Sequence, residues 1–207
     1  ASNTSSFSME QVFDCVQRRE RVVGSHFFLP AQILPLVEVA RSPWTSDETM
    51  DRTIELWQSC GKVPIRQEKH VAGYIANRLQ AALVREATNL LNQGIASASD
   101  IDKAVQMSFG LRFLVSGPLE QRDITGLDFH ISVARSLWPE LDCGDGPHKY
   151  VIDKVDRGEL GVKSGRGFFE WAGQDLESVY MSKNEALISK LAALGFWQSS
   201  TEGNSNL

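Results

Sequence analysis

The sequence predicts a mainly α protein in which a short β-containing part, residues 1–67, precedes an all-helical domain, residues 68–197, with a flexible tail over 198–207. Three observations lead there. Two short apolar runs, Val22–Phe28 and Leu36–Ala40, are too short for helices and are separated by Pro30 and Pro35. From Tyr74 onward apolar residues recur at helical rather than strand spacing. Helix starts and stops punctuate the remainder: Ser97-Ala98-Ser99-Asp100, Gly117-Pro118-Leu119-Glu120 and Gly94. With 207 residues, 42% of them hydrophobic and 23% charged, the chain is of ordinary globular composition and long enough for one good core or two modest ones.

In chain order, Ser8 is placed to cap a helix over Met9–Arg18, with Met9, Val12, Phe13 and Val16 on one face. The β run that follows ends at Pro30, which cannot donate to a ladder. The connection to Leu36 is too short for a crossover helix, so an antiparallel neighbour is expected. Thr45-Ser46-Asp47-Glu48 has the form of a capping box, Met50, Ile54 and Trp57 continue at helical spacing, and Gly61 closes that helix before a short strand over Lys62–Arg66. The longest helix is expected over Tyr74–Gln93, with Ile75, Leu79, Leu83, Ala87, Leu90 and Leu91 as its apolar face and Gly94 as its left-handed terminator. Further helices are expected over Ser97–Met107, Pro118–Leu137, Tyr150–Arg157 and Leu176–Leu194. An apolar connection, Phe109–Phe113, lies between the first two, and a glycine-rich stretch, Gly158–Phe169, precedes the last.

The totals exclude some function classes. A net charge of -5 argues against nucleic acid or an anionic membrane as the main partner. Cys15, Cys60 and Cys143 have neither disulfide-framework nor zinc spacing, which suits idle thiols in a reducing compartment, and no metal site is expected. No apolar run approaches the ~20 residues of a membrane span. A soluble intracellular protein handling small molecules is the expectation.

His26 and Glu38 sit in the two β runs. Side by side in one sheet they would form a general base with an orienting carboxylate, which fixes the tautomer and favours the imidazolium. Spacing alone favours instead a strand histidine satisfied by any acceptor and a solvent-facing carboxylate. Glu38 within Leu36-Val37-Glu38-Val39 nonetheless wants a partner if that run is buried. Asn77 interrupts the first turn of the long helix, either to meet a substrate carbonyl or to face water. Ser5 stands in a polar loop that can bind a ligand hydroxyl or be only a loop, and Lys163 can reach a phosphate or remain solvated. Gly161–Gly167 lacks phosphate-loop spacing, and the chain has no Gly-x-Gly-x-x-Gly fingerprint.

Four motifs in order, Ala1–Ser6, Gly24–Pro30 with Leu36–Val39, Ala72–Arg78 and Gly161–Phe168, resemble those of the 3-hydroxyacyl-CoA dehydrogenases along most of the chain; Ser97–Asp102 and Gly117–Glu120 also match. The resemblance implies the last strands of a truncated Rossmann-type NAD-binding domain over 1–67 and a helical C-terminal domain over 68–197. It implies oxidation of the 3-hydroxyl of an acyl-CoA to a ketone in fatty acid metabolism, with NAD as hydride acceptor. His26 is then the catalytic base and Glu38 its partner, Ser5 and Asn77 position substrate, and Lys163 contacts the cofactor. Most of the NAD site is expected upstream of Ala1, so the chain alone is expected to be inactive. Leu29 stands where the family commonly has asparagine, removing an amide from the nicotinamide side. Gly110–Phe113 is also similar to relatives such as lambda-crystallin and carnitine dehydrogenase, which keeps a small hydroxy acid open as substrate. By the same resemblance a homodimer through the helical domain is expected, in cytoplasm, mitochondrion or peroxisome. The competing reading is a non-catalytic helical dimerisation and substrate-binding module.

Overall fold

A computed structural model describes residues 1–4, 7 and 9–196; Ser5, Ser8 and the tail from 197 lie outside the described residues. Two compact units are present, one comprising residues 1–80 with the stretch from Glu177, the other residues 81–176. Helices predominate beside a single three-stranded sheet among the described residues, as the mainly α expectation holds.

In the first unit the sheet has the order β1 (Gly24–Phe27), β2 (Leu36–Ala40), β3 (Val63–Gln67). β1 and β2 are antiparallel, as the short proline-bounded connection requires, and Lys62 ties that connection down by donating from Nζ to the carbonyls of Ala31 and Leu34 at 2.7 and 3.2 Å. β2 and β3 are parallel and flank helix α2 (Asp47–Ser59) in sequence. Ser46 caps α2 by accepting from the N–H of Thr49 at 3.2 Å, and Gly61 (φ +72°) ends it in the left-handed conformation.

Strand alternation gives the sheet two different faces. Val37 and Val39, with Val23 and Met50, form a buried apolar cluster to which Ile54 and Trp57 of α2 add. Each such side chain contributes about 1.5–3 kcal/mol on burial. Trp57 also donates from Nε1 to Ser25 Oγ at 2.7 Å, fixing α2 on this face. The opposite face carries Gly24, His26, Glu38 and Ala40, aligned in register as Gly24 with Ala40 and His26 with Glu38. The two chemically distinctive residues are therefore segregated from the apolar core by strand parity.

Three expected elements differ. The helix expected over Met9–Arg18 is one turn long, α1 (Met9–Val12). Met9, Phe13 and Val22 then bury together against Trp44, and Arg19 turns the chain by donating to the Asp14 carbonyl at 2.6 Å while its guanidinium stacks over the Trp44 ring at 4.6 Å. In the second unit Gly126 (φ +92°) breaks the helix expected over Pro118–Leu137, and the apolar connection at Phe109 is itself helical. The elements here are α4 (Ala98–Gln106), α5 (Phe109–Arg112), α6 (Pro118–Thr125), α7 (Leu127–Leu137) and α8 (Lys149–Asp156). Preceding them, α3 (Tyr74–Asn92) ends at Gly94 (φ +68°), where Ile95 N–H reaches the Leu90 carbonyl and Gly94 N–H that of Leu91, the paired closure expected of a left-handed glycine. The final helix, α9, spans Leu176–Ala193.

The apolar stripe of α3 forms as expected, but its early members remain accessible, Leu79 at 60%. Within 81–176, polar ties do much of the fastening: Glu86 accepts from Asp142 N–H at 2.9 Å, Thr88 Oγ1 meets His148 Nδ1 at 2.9 Å, and Lys154 joins Glu159 to the Gly167 carbonyl. Hydrogen bonds from Arg157 and then Lys154 pull the Glu159 carboxyl down to about 2. Among the described residues no helix is long and apolar enough to cross a membrane.

Candidate active site

His26 and Glu38 occupy facing positions in the middle of β1 and β2, and the sheet register alone brings their side chains together. His26 Nδ1 lies 2.9 Å from Glu38 Oε2; the imidazole is 9% exposed and the carboxylate fully buried. A carboxylate can only accept, so the proton of this bond sits on Nδ1 and proton exchange falls to Nε2.

A buried charge needs more than one partner. The other oxygen of Glu38, Oε1, accepts the backbone N–H groups of Ile75 at 2.8 Å and Ala76 at 3.0 Å, in the first turn of α3. One carboxylate thus closes two accounts, orienting the imidazole and capping the longest helix, whose positive end favours the anion. The sequence before this helix, His70-Val71-Ala72-Gly73-Tyr74, holds no Ser, Thr, Asp or Asn whose side-chain oxygen could accept a first-turn N–H. That gap, set beside a strand carboxylate in need of a partner, is the signal from which the contact was readable.

Sequence reasoning assigned no role to Tyr74. Its ring lies parallel to His26, centroids 4.4 Å apart and planes at 12°, while the His70 ring stands perpendicular to it at 5.3 Å. Tyr74 is wholly buried, its hydroxyl has no hydrogen-bond partner among the described residues, and its backbone is left-handed (φ +52°), unusual outside glycine. Burial, and secondarily the Glu38 charge, push its phenol up to about 12. A phenol raised on folding supports the folded state fully below pH 10 and loses that support as pH climbs through about 12. Tyr74→Phe is accordingly expected to remove part of the alkaline loss of stability, read from urea unfolding midpoints across that interval.

Gly24 makes room for this ring. A Cβ there would sit 2.6 Å from Tyr74 Oη and 3.2 Å from the Ala40 Cβ. Gly24→Ala is expected to destabilise by about 1–3 kcal/mol through overpacking. In a double-mutant cycle by chemical denaturation, Tyr74→Phe should recover much of that loss, because it removes the atom nearest the new methyl.

Asn77 is half-buried in the first turn of α3, next to the N–H that binds Glu38, and its amide makes no hydrogen bond among the described residues. Ser5 lies outside the described residues; nearby, Ser2 pairs beside Gly24, and Asn3 Oδ1 accepts from Phe27 N–H at 2.9 Å. Lys163 belongs to the other unit, exposed on a 3-10 turn over Val162–Ser164. Leu29 is 78% exposed just past β1.

A dinucleotide phosphate site would need a helix start with free N–H groups and no negative charge. The helix following β2 does not offer one: Ser46 already caps α2 and its first turn carries Asp47 and Glu48. The start of α2 therefore does not fit the phosphate-binding part of such a cofactor.

Comparison with known proteins gives two adjoining family matches: "3-hydroxyacyl-CoA dehydrogenase, NAD binding domain" over residues 1–71 and "3-hydroxyacyl-CoA dehydrogenase, C-terminal domain" over residues 73–171. Human mitochondrial hydroxyacyl-coenzyme A dehydrogenase is 33% identical over 174 residues, 83% of this chain and 54% of that protein. The 5-formyl-3-hydroxy-2-methylpyridine 4-carboxylate 5-dehydrogenase of Mesorhizobium japonicum is 30% identical over 189 residues, 91% of this chain and 61% of its own length. A crystal structure of a dehydrogenase of that pyridine carboxylate, described as an NAD-dependent dismutase, superposes with a TM-score of 0.87 at 29% identity, covering 94% of this chain and 63% of the other. The chain spans 54–61% of the length of these two curated relatives.

Proposed function

Since the chain belongs to the 3-hydroxyacyl-CoA dehydrogenase family, we propose that its activity is the oxidation of the 3-hydroxyl of an acyl-CoA to a 3-ketone, with NAD as cofactor. The observation that carries this reading is the buried His26–Glu38 bond of 2.9 Å, with the second carboxylate oxygen held by two backbone N–H groups. NAD, when bound, accepts the hydride from the carbinol carbon. The chain's own residues handle the proton. His26 takes it from the hydroxyl at Nε2 while Nδ1–H stays bonded to Glu38, so the cation formed lies beside a fixed anion and needs no solvent. Asn77 donates to the substrate carbonyl, Ser5 holds the reacting hydroxyl, and Lys163 contacts the cofactor. The start of α2 does not supply the phosphate-binding part of the NAD site, and no step here depends on it.

Residues 1–67 are read as the C-terminal part of the NAD-binding domain and 68–197 as the helical domain, which the meeting of the two family matches between residues 71 and 73 supports. A homodimer through the helical domain is favoured by large apolar side chains left accessible there, Val115 at 82% and Leu119 at 81%.

A second substrate class, an alcohol or aldehyde on a carboxylated aromatic ring, is favoured by the 0.87 TM-score over 94% of the chain. The test is NADH consumption by the full-length protein on acetoacetyl-CoA, longer 3-ketoacyl-CoA esters and a formylpyridine carboxylate. Turnover on the CoA esters is expected. A folded protein that ignores every CoA ester while turning over the pyridine would replace the first reading by the second, and inactivity on all of them would favour a non-catalytic binding module.

A further inference from the structure

Resting on the reading of His26 as the base, we propose that Tyr74 is the positioning residue of the His26–Glu38 pair, acting through the face of its ring rather than through its hydroxyl. A hydrogen bond at Nδ1 fixes the direction of one ring atom but leaves the imidazole free to tilt about that line. The Tyr74 ring, 4.4 Å away and within 12° of parallel, removes that freedom by closing one face of the imidazole. The same residue governs the carboxylate. It is the first residue of α3, and its left-handed backbone (φ +52°) directly precedes the N–H groups of Ile75 and Ala76 that hold Glu38 Oε1. A single side chain and its peptide thus set the attitude of the base and the seat of its partner.

The hydroxyl is a bystander in this arrangement. It is fully buried, has no hydrogen-bond partner among the described residues, and abuts Gly24, where a Cβ would come within 2.6 Å of it. A buried hydroxyl used for anchoring would be bonded. The ring is held by packing instead, stacked on His26 and perpendicular to the neighbouring His70 ring. Tyrosine here keeps a cost that phenylalanine would avoid, while a ring of either kind supplies the stack.

The test compares Tyr74→Phe, Tyr74→Leu, Tyr74→Met and His26→Gln in the full-length protein. The Leu and Met variants are expected to lose kcat by about 10- to 100-fold, the scale of a slightly misaligned reacting group. KM should be unchanged, because the ring is wholly buried. Tyr74→Phe should restore kcat and raise Tm. Independently of turnover, the carbon-bound ring protons of His26 should be shielded by the stacked ring, and this NMR shielding should vanish in the Leu and Met variants and persist in Phe. Wild-type kcat in a folded Leu or Met variant overturns the proposal. So does a Phe variant that falls as far as Leu, which would assign the role to the hydroxyl. If the wild-type protein turns over no hydroxyacyl substrate, or loses nothing on His26→Gln, the functional reading fails; the shielding still decides whether Tyr74 sets the imidazole.

Discussion

Replacing His26 by Gln is expected to lower kcat by about 10²- to 10⁴-fold, the range supplied by a positioned general base, with the fold retained. Glutamine can still donate an amide N–H toward Glu38 Oε2, so the buried carboxylate keeps three donors, and the two that matter most for α3, from Ile75 and Ala76, are untouched. What the variant lacks is an atom that accepts a proton at the far side of the ring. The groups proposed to hold substrate and cofactor, Asn77, Ser5 and Lys163, are unchanged in the variant, so KM should move little. The measurement is steady-state kinetics on a 3-ketoacyl-CoA ester paired with urea unfolding of the same preparation. A folded variant with kcat within a few-fold of wild type would remove His26 from the chemistry. A large loss of stability would instead show that the imidazole is mainly a packing element.

The parts legible in the sequence were those decided locally. Ser46 and Ser97 cap the helices they precede, Pro118 opens α6, and Gly61 and Gly94 end their helices in the left-handed conformation. Strand parity placed His26 and Glu38 on one face once the two runs were paired, and the length of the connection required that pairing to be antiparallel. Illegible parts depend on contacts distant in sequence. A helix through Arg18 was consistent with the spacing of Met9, Phe13 and Val16, but Trp44 and Val22 offer Met9 and Phe13 a better burial than a longer helix would. Gly126 could be tolerated inside a helix or break it, and only the observed φ of +92° decides. The role of Tyr74 was hidden for a further reason. An aromatic residue at a helix start reads as one more core position, and its value here comes from a ring that belongs to a strand 48 positions earlier in the chain, as the numbers 26 and 74 show.

Glu38 admits two substitutions whose effects should separate structure from chemistry. In Glu38→Ala three N–H groups lose their acceptor at once, those of His26 Nδ1, Ile75 and Ala76. Removing one member of a buried ionic arrangement costs about 3–5 kcal/mol, so this variant should unfold at markedly lower urea and expose the start of α3 to hydrogen exchange. In Glu38→Gln the shape survives. The carboxamide oxygen can still accept from Ile75 and Ala76, so the helix keeps its cap, and its Nε2 must then face His26. Being a donor, that nitrogen forces Nδ1 into the acceptor role and moves the imidazole proton to Nε2, the atom that must receive the substrate proton. The ring is held in place and in the wrong tautomer. Turnover should fall by about 10³-fold or more, as it does when a carboxylate that orients a catalytic histidine is made an amide, while the unfolding midpoint shifts far less than in the alanine variant. If instead Gln and Ala variants lose stability equally and Gln keeps its activity, Glu38 would be a helix cap that happens to touch a histidine, and the pairing of base and carboxylate would have no part in the reaction.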